Sequence, residues 1–259
     1  MGMIMLCPLL FVFTVLISLQ PLNVLSAAAD NYSNITQPTV TTESNVSSLG
    51  YDIDSNSFNI SYSDWTAKWW QWAYSIPWDR HPSYDNTGKF CSENQKERVW
   101  YLSNSFEHPV VRTCKVSSDA AILIALLNSE CSFAEFPTLK TEQELRNCAE
   151  NMQDVVNGGH AFLNEANISS LIEYRVQTKM FNFTLPQNNI LNLTSQTTQA
   201  VADGNWLFLK PLPPGTHELK IKGDINSTVL KSLDQSSEVD QYSGPIGWNQ
   251  TTTYVLNVN

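Results

Sequence analysis

Asp64-Trp-Thr-Ala-Lys-Trp-Trp-Gln-Trp-Ala-Tyr-Ser-Ile-Pro-Trp78 holds five of the chain's eight tryptophans. Tryptophan is costly to leave in water, so a run this dense either anchors a core or forms a platform for a ligand. At 100° per residue Trp65, Trp69, Trp72, Ala73 and Ile76 share one face, which Trp70 and Tyr74 widen. Asp64, Lys68, Gln71 and Ser75 make the opposite side, with Asp64 and Lys68 at the i,i+4 spacing of an ion pair. Ser63 is placed to cap the start and Pro77 to end it. The pattern predicts a short amphipathic helix packed on a sheet. Trp70 and Trp78, off the centre of the stripe, are the candidates for touching a ligand.

Outward from this helix the periodicity shortens. Val99-Trp-Tyr-Leu102, Val110-Val-Arg-Thr-Cys-Lys-Val116 and the continuous apolar run 120–127 read as strands separated by turns rich in Asn, Ser and Asp. Thr141-Glu-Gln-Glu144 makes a capping box for a second helix, with Leu145, Cys148, Met152 and Val155 as its stripe. Strand signals resume at 171–177, 180–185, 199–202 and 206–209. Pro211-Leu-Pro-Pro-Gly215 is a rigid turn that cannot be strand interior, and it leads into alternating residues 216–222. Residues 253–258 alternate again, while 223–247 read as a polar excursion with one turn of helix near 229–233. The expected fold is mostly β: an antiparallel, jelly-roll-like β-sandwich with an N-terminal Trp-rich helix and a second short helix, forming one domain over 63–259.

The front of the chain speaks to compartment. Residues 3–19 are almost wholly apolar and lead to small residues before Asp30, which reads as a signal peptide over 1–29. No Lys or Arg precedes Lys68, and about 17 apolar residues approach the length of a span, so an uncleaved anchor is the alternative and the one route to a membrane. Residues 30–62 read as an Asn/Ser/Thr-rich glycosylated stalk. N-x-S/T sites begin at Asn31, Asn34, Asn45, Asn59, Asn167, Asn182, Asn192, Asn226 and Asn249. Behind a signal peptide they favour an extracellular or cell-surface glycoprotein.

Cys91, Cys114, Cys131 and Cys148 remain after processing, an even count that predicts two disulfides outside the cell. Three pairings are possible. Proximity favours Cys91 with Cys114 and Cys131 with Cys148, closing loops each worth about 3 kcal/mol in the chain-entropy picture. The thiols form no C-x-x-C pair and the four histidines are scattered at 81, 108, 160 and 217, which argues against zinc. Asp52-Ile-Asp-Ser-Asn56 begins like a calcium loop but lacks the glycine and glutamate that would complete it. No metal or cofactor is therefore expected. A net charge of −10 argues against nucleic acid as a partner.

Several segments occur together in one order: Trp69-Trp-Gln-Trp-Ala73, Asp85-Asn-Thr-Gly88, Arg112-Thr-Cys114, Leu127-Asn-Ser-Glu-Cys131, Ala202-Asp-Gly204 and Leu209-Lys-Pro-Leu-Pro-Pro-Gly-Thr-His217. This set resembles a family of uncharacterised secreted bacterial and archaeal proteins. The resemblance covers roughly residues 65–223 and implies no activity and no catalytic residue. Ser117-Ser-Asp119 stands where that resemblance leads one to expect a glycine-containing turn.

No G-x-S-x-G elbow, H-E-x-x-H or Walker sequence is present. Glycoside hydrolysis needs only two carboxylates about 5–10 Å apart, and Asp85, Asp119, Glu130, Glu135 and Asp203 could supply them. Asn128-Ser-Glu130 places polar groups beyond an apolar strand, where a strand-end turn is the plainer reading. Arg112 shares a strand face with Cys114; if that face is core it needs a partner, and Glu130 or Glu135 is the natural one. His217 alternates with Leu219 and Ile221 and reads as an edge or core histidine. The expectation is a non-catalytic extracellular binding or envelope module. Its ligand-binding candidates are Trp70, Trp78, Asp85, Arg112, Glu130 and Glu135, and its possible partner is a glycan or a cell-envelope component. The alternative is a secreted glycan-acting hydrolase using paired carboxylates.

Overall fold

The computed structural model describes residues 49–259 apart from 97, 107, 108, 155, 169–172 and 226–248. Helix α1 (Tyr62–Tyr74) begins two residues earlier than a cap at Ser63 implies, because Tyr62 is itself buried. Ser61 therefore caps it, accepting the Asp64 amide at 3.1 Å, while Ser63 donates its hydroxyl to the Gln177 carbonyl. Trp65, Trp69, Trp72 and Ile76 are all buried, as their shared face requires. Three of the indoles also act as staples. Trp65 donates to Ser57 O, Trp69 to Leu102 O and Trp72 to Glu93 O, each at 2.9 Å, so one helix fixes three separate stretches of chain.

The described strands form two sheets. In the first, β3 (Ala121–Ser132) and β8 (Thr197–Leu209) are central, β1 (Val99–Leu102) lies beside β3, and β6 (Glu173–Gln177) and β7 (Phe181–Thr184) both pair with β8. The second runs β2 (Val110–Val116), β10 (Asn249–Val258), β9 (Gly215–Ile225), β4 (Val156–Leu163), β5 (Ala166–Asn167). The first sheet is covered on both faces. Ala121, Leu123 and Ala125 of β3 pack with the α1 tryptophans, and Ile122, Ile124 and Leu126 pack against Leu219, Ile221 and Leu256 of the second sheet. Burial on both faces is why 120–127 reads as one apolar run. Helix α2 (Glu142–Gln153) opens with the Thr141–Glu144 capping box and packs Leu145 and Ala149 on Cys131 and Val201. Disulfides join Cys91 to Cys114 and Cys131 to Cys148, the pairing that proximity favours.

A mostly β sandwich with two helices is therefore the fold, but its sheets are mixed rather than antiparallel. β1 pairs with β3 in parallel, because the chain crosses to the second sheet through β2 between them; β2 likewise pairs with β10 in parallel. Residues 199–202 and 206–209 belong to one long strand. Gly204 interrupts the pattern there because the Asn128 side chain lies across it: a Cβ at Gly204 would sit 2.3 Å from Asn128 Nδ2. Asn128-Ser-Glu130 lies inside β3, not in a turn after it, since a bulge between Ala125 and Leu127 lets the pairing continue to Ser132. β4 is an element that its Val-Asn-Gly-Gly start concealed.

Residues 49–62, expected as the end of the stalk, pack on the sandwich instead. Gly50 bridges Leu209, the Tyr51 amide donates to Phe208 O, and the Tyr51 ring sits 4.8 Å from that of Phe208. Apolar residues at 49, 51 and 60 give this segment something to bury, which a solvated stalk lacks. The signal peptide over 1–29, the remainder of the stalk, the sequons at Asn31, Asn34, Asn45 and Asn226, and the helical turn at 229–233 lie outside the described residues. Asn59, Asn167, Asn182 and Asn192 are exposed, and Asn249 opens β10. Among the described residues no helix is long and apolar enough to cross a membrane.

Gly204→Ala is expected to destabilise the chain by about 1–3 kcal/mol through overpacking. Adding Asn128→Ala should recover most of that loss in urea unfolding; a double variant no more stable than Gly204→Ala alone would contradict the contact.

Candidate functional site

β1 and β2 are edge strands of facing sheets, and the stretch 75–96 bonds to both. Its hydrogen bonds do the work of absent strands. The Gln95 side chain accepts the Tyr101 amide at 3.0 Å and donates to the Tyr101 carbonyl at 2.9 Å, and the Thr113 amide donates to Thr87 O. Gly88 is needed for this approach. Its φ is +89°, and a Cβ there would lie 2.5 Å from Thr113 O.

Arg112 sits at the centre of the closure, 1% exposed. It points inward beside Cys114, as alternation requires, yet among the described residues it meets no carboxylate. Its guanidinium donates to Asp85 O (2.6 Å), Ser103 O (2.9 Å), Ser83 O (3.2 Å) and the Tyr254 hydroxyl (2.7 Å), and its plane lies over the Tyr254 ring. The expected partners Glu130 and Glu135 are elsewhere: Glu130 is on the face of the first sheet that carries α1, whereas Arg112 lies on the side of β2 that turns inward. Carbonyl dipoles from two loops take the place of a counter-ion.

Those two loops carry two of the large exposed apolar side chains among the described residues, both aromatic. Turns of 3₁₀ helix at Trp78–Arg80 and Pro82–Tyr84 present Trp78 and Tyr84, and the loop after β1 presents Phe106. Trp78 is 51% and Phe106 52% exposed. The Trp78 and Tyr84 rings lie 5.9 Å apart and those of Tyr84 and Phe106 5.5 Å, so three rings form one continuous strip. The strip is fixed from below. The Phe106 amide donates to Ser83 O, and the preceding Asn104 and Ser105 bind Thr252 of β10. His81 accepts the Ser83 amide on Nδ1 and donates from Nε2 to Ala73 O. Burial above all, then repulsion from Arg112, lowers the His81 pKa to about 4 against the opposing pull of the Ala73 carbonyl. Polar side chains border the rings: Asn188 donates to Asp79, and Arg80 pairs with Glu93 at 3.0 Å.

The other candidates divide. Trp78 is on the strip, but Trp70 is buried, its ring 5.3 Å from Tyr74 and 5.1 Å from Trp69. The apolar stripe of α1 is wider than its central positions, so Trp70 packs rather than projects. Asp85 is a loop brace. It accepts the Thr87 and Phe90 amides and the Thr87 hydroxyl, and although burial opposes ionisation, these bonds and one from Gly88 keep its carboxyl below the ordinary range. Asp119 accepts from Ser117 in an exposed turn, and Asp203 holds Arg175 through two oxygens. His217 bonds Asn164 and Pro213 at the end of β9. Among the described residues no three His, Cys, Asp or Glu side chains gather as metal ligands.

Glu130 and Glu135 do meet. Glu130 is 2% exposed and takes a hydrogen bond from the Tyr74 hydroxyl at 2.7 Å. Ser132 donates to Glu135 at 2.6 Å. Burial raises the Glu130 carboxyl well above its ordinary value, and the charge of Glu135 and a hydrogen bond to it raise it further against the pull of Tyr74 and Ser132. Burial raises Glu135 as well, with the bonds from Glu130 and Ser132 offsetting part of the rise. Both directions follow from burial: the neutral form of Glu130 spares the site two adjacent charges out of water. Tyr84 and Phe106 escaped the sequence reading altogether. Phe106 stands as a single aromatic in a polar turn, and its meeting with Trp78 is a matter of tertiary structure.

No family model matches the chain, and no curated protein does. Two solved chains share a distant likeness: one from the structure of PbICP-C in complex with falcipain-2, at 9% identity and a TM-score of 0.23 over 63% of this chain and 100% of that one; and the cysteine protease inhibitor EhICP2 from Entamoeba histolytica, at 12% identity and 0.22 over 61% and 95%. At these scores the likeness carries no argument about what this chain binds.

Two substitution series test the site's electrostatics. Arg112→Lys keeps the charge but loses the fork, and is expected to cost roughly 3 kcal/mol in urea unfolding. The second series concerns pH. His81 has a folded pKa below its unfolded 6.5, so its stabilisation is complete above 6.5 and falls as pH drops toward 4; Glu130 is raised above 4.5, so its contribution is complete below 4.5 and lost as pH rises. His81→Gln should flatten the limb from 6.5 to 4, and Glu130→Gln should flatten the limb above 4.5. Unchanged limbs in unfolding measured from pH 4 to 8.5 would refute these assignments.

Proposed function

We propose that this chain is a secreted or surface-displayed glycoprotein acting as a non-catalytic binding module, with carbohydrate as its ligand and the Trp78–Tyr84–Phe106 strip as its contact face. The observation that carries the reading is the strip itself: two half-exposed rings joined through a third, on loops fastened beneath by a buried guanidinium. Exposed aromatic faces stack on the apolar faces of sugar rings, and the bordering Asp79, Asn188 and Arg80 offer polar groups for hydroxyls. Because the loops are braced before any ligand arrives, binding loses little to ordering. Two disulfides and four exposed sequon asparagines agree with an extracellular setting, as does the sequence resemblance to uncharacterised secreted bacterial and archaeal proteins.

The hydrolase reading has less behind it. Glu130 is 2% exposed and its carboxyl is bonded by the Tyr74 hydroxyl of α1, so no substrate reaches it as the paired carboxylates of a glycosidase require. A glycan array followed by calorimetry tests the binding reading. Trp78→Ala and Phe106→Ala are each expected to weaken the best glycan ligand about tenfold, a loss of roughly 1.4 kcal/mol per ring. Absence of any glycan binding, or affinity untouched in both variants, would overturn it; polysaccharide turnover that Glu130→Gln abolishes would favour the hydrolase.

A further inference from the structure

The strip borders a loop that carries an acceptor for N-glycosylation. Residues 186–195 form a compact loop closed at its neck, where the Leu185 amide donates to Gln196 O and the Ser195 hydroxyl to Leu185 O, both at 2.8 Å. Buried Asn189 braces it from within. Its amide donates to Pro186 O (2.8 Å) and Leu193 O (2.7 Å), and its side-chain oxygen accepts the Leu193 amide (3.1 Å). Ile190, Leu191 and Leu193 seat the loop on the core beneath α1. The loop in turn holds the Trp78 turn: the Trp78 amide donates to Asn188 O at 2.7 Å, and the Asn188 side chain donates to Asp79 at 3.2 Å.

Asn192 stands on the same loop and opens the sequon Asn192-Leu-Thr194. It is exposed, it holds the left-handed conformation that asparagine tolerates (φ 53°), and its backbone amide donates to Asn189 O at 3.1 Å. Four residues span about 14 Å at full stretch, and this turn makes the path from Asn188 to Asn192 shorter still. A glycan on Asn192 therefore starts within reach of the half-exposed Trp78 ring, and the loop bearing it cannot swing away without breaking the Asn189 bonds. Asn59 is placed differently. It precedes α1 whereas Trp78 follows it, so about 20 Å of helix lies between them.

We infer that an N-glycan on Asn192 is a built-in occupant of the Trp78 end of the strip, and that its trimming or absence opens the site to free saccharide. This gate rests on the carbohydrate reading of the strip and adds its regulation. A sugar ring stacks on an exposed indole by the same contact whether it arrives from solution or from the chain itself. The tethered sugar has the advantage of proximity, because a short flexible link gives it an effective concentration on the order of mM. Free glycan below that level competes poorly. If the tethered sugar covers the ring about nine-tenths of the time, the apparent affinity for free glycan falls about tenfold.

The test compares the full chain from an N-glycosylating eukaryotic host with the same chain from a host that adds no N-glycans. Peptide mass spectrometry should find Asn192 occupied in the first. The free trimannosyl-chitobiose core serves as the calorimetric titrant, and it should bind the unglycosylated chain about tenfold tighter than the glycosylated one. Asn192→Gln and Thr194→Ala, made in the glycosylating host, should each restore the tighter affinity, and Asn59→Gln should not. In the other host neither Asn192→Gln nor Thr194→Ala should change affinity, which separates loss of the sugar from damage to the loop. A second readout needs no titrant. Trp78 is the exposed tryptophan among the described ones, so Asn192→Gln in the glycosylating host should raise acrylamide quenching of fluorescence, and should not do so in a Trp78→Phe background. An unoccupied Asn192, or a glycosylated chain that matches its Asn192→Gln variant in affinity and quenching, overturns the gate and leaves the strip as a platform. So does failure of the core saccharide to bind the unglycosylated chain when other glycans on the array do bind it. A blank array with the unglycosylated chain overturns the carbohydrate reading, and the gate with it.

Discussion

A single buried guanidinium organises the end of this molecule where the two sheets would otherwise part. Arg112 is enclosed as fully as a core leucine, and its donors reach three carbonyls and a tyrosine hydroxyl drawn from the 83–85 segment, the loop after β1 and the neighbouring strand β10. A carboxylate in the same place would pair with one or two donors; carbonyls spread the charge over several chain segments and so fix all of them at once. The 91–114 disulfide and the Gln95 side chain on β1 fasten the same stretch at its other end. The exposed rings are thus carried on loops whose shape is decided from inside.

The tryptophan helix solves a different problem. Sheet faces are broad, and a helix of thirteen residues covers one only if its side chains are large. Four buried indoles supply that reach, and three convert their N–H groups into ties to distant backbone. Where α1 meets the far part of β3, the contact turns polar: Tyr74 reaches Glu130, and Trp70 and Trp206 leave their indole N–H groups without a described partner nearby. Burial in this apolar setting raises both carboxyls and so favours their neutral forms.

Local patterns carried much of this into the sequence. The capping box at Thr141, the α1 stripe, the alternation of β2 and the double-faced apolar run of β3 each follow from contacts within a few residues, and each was legible. So was the disulfide pairing, because short loops close more readily than long ones. What stayed hidden depends on elements distant in the chain. Parallel pairing of β1 with β3 arises from a crossover, and no alternation records direction. Arg112 announced that it needed partners, but carbonyl acceptors have no signature in a side-chain alphabet. Glu130 and Glu135 were legible as carboxylates and even as neighbours in sequence, yet their contact depends on a bulge that extends β3. Phe106 becomes part of a surface only once Tyr84 stands between it and Trp78.

The position of β10 sets an order on assembly. It follows every other described strand in the chain, yet it lies at the interior of its sheet, with β9 on one side and β2 on the other. Until it arrives, β2 has no backbone partner in its own sheet, and Arg112 lacks the Tyr254 hydroxyl that shares its charge. The first sheet and its tryptophan helix rest on none of these bonds. The last strand of the chain therefore completes the sheet that holds Arg112, and the aromatic strip seated on that guanidinium depends on the chain's final segment.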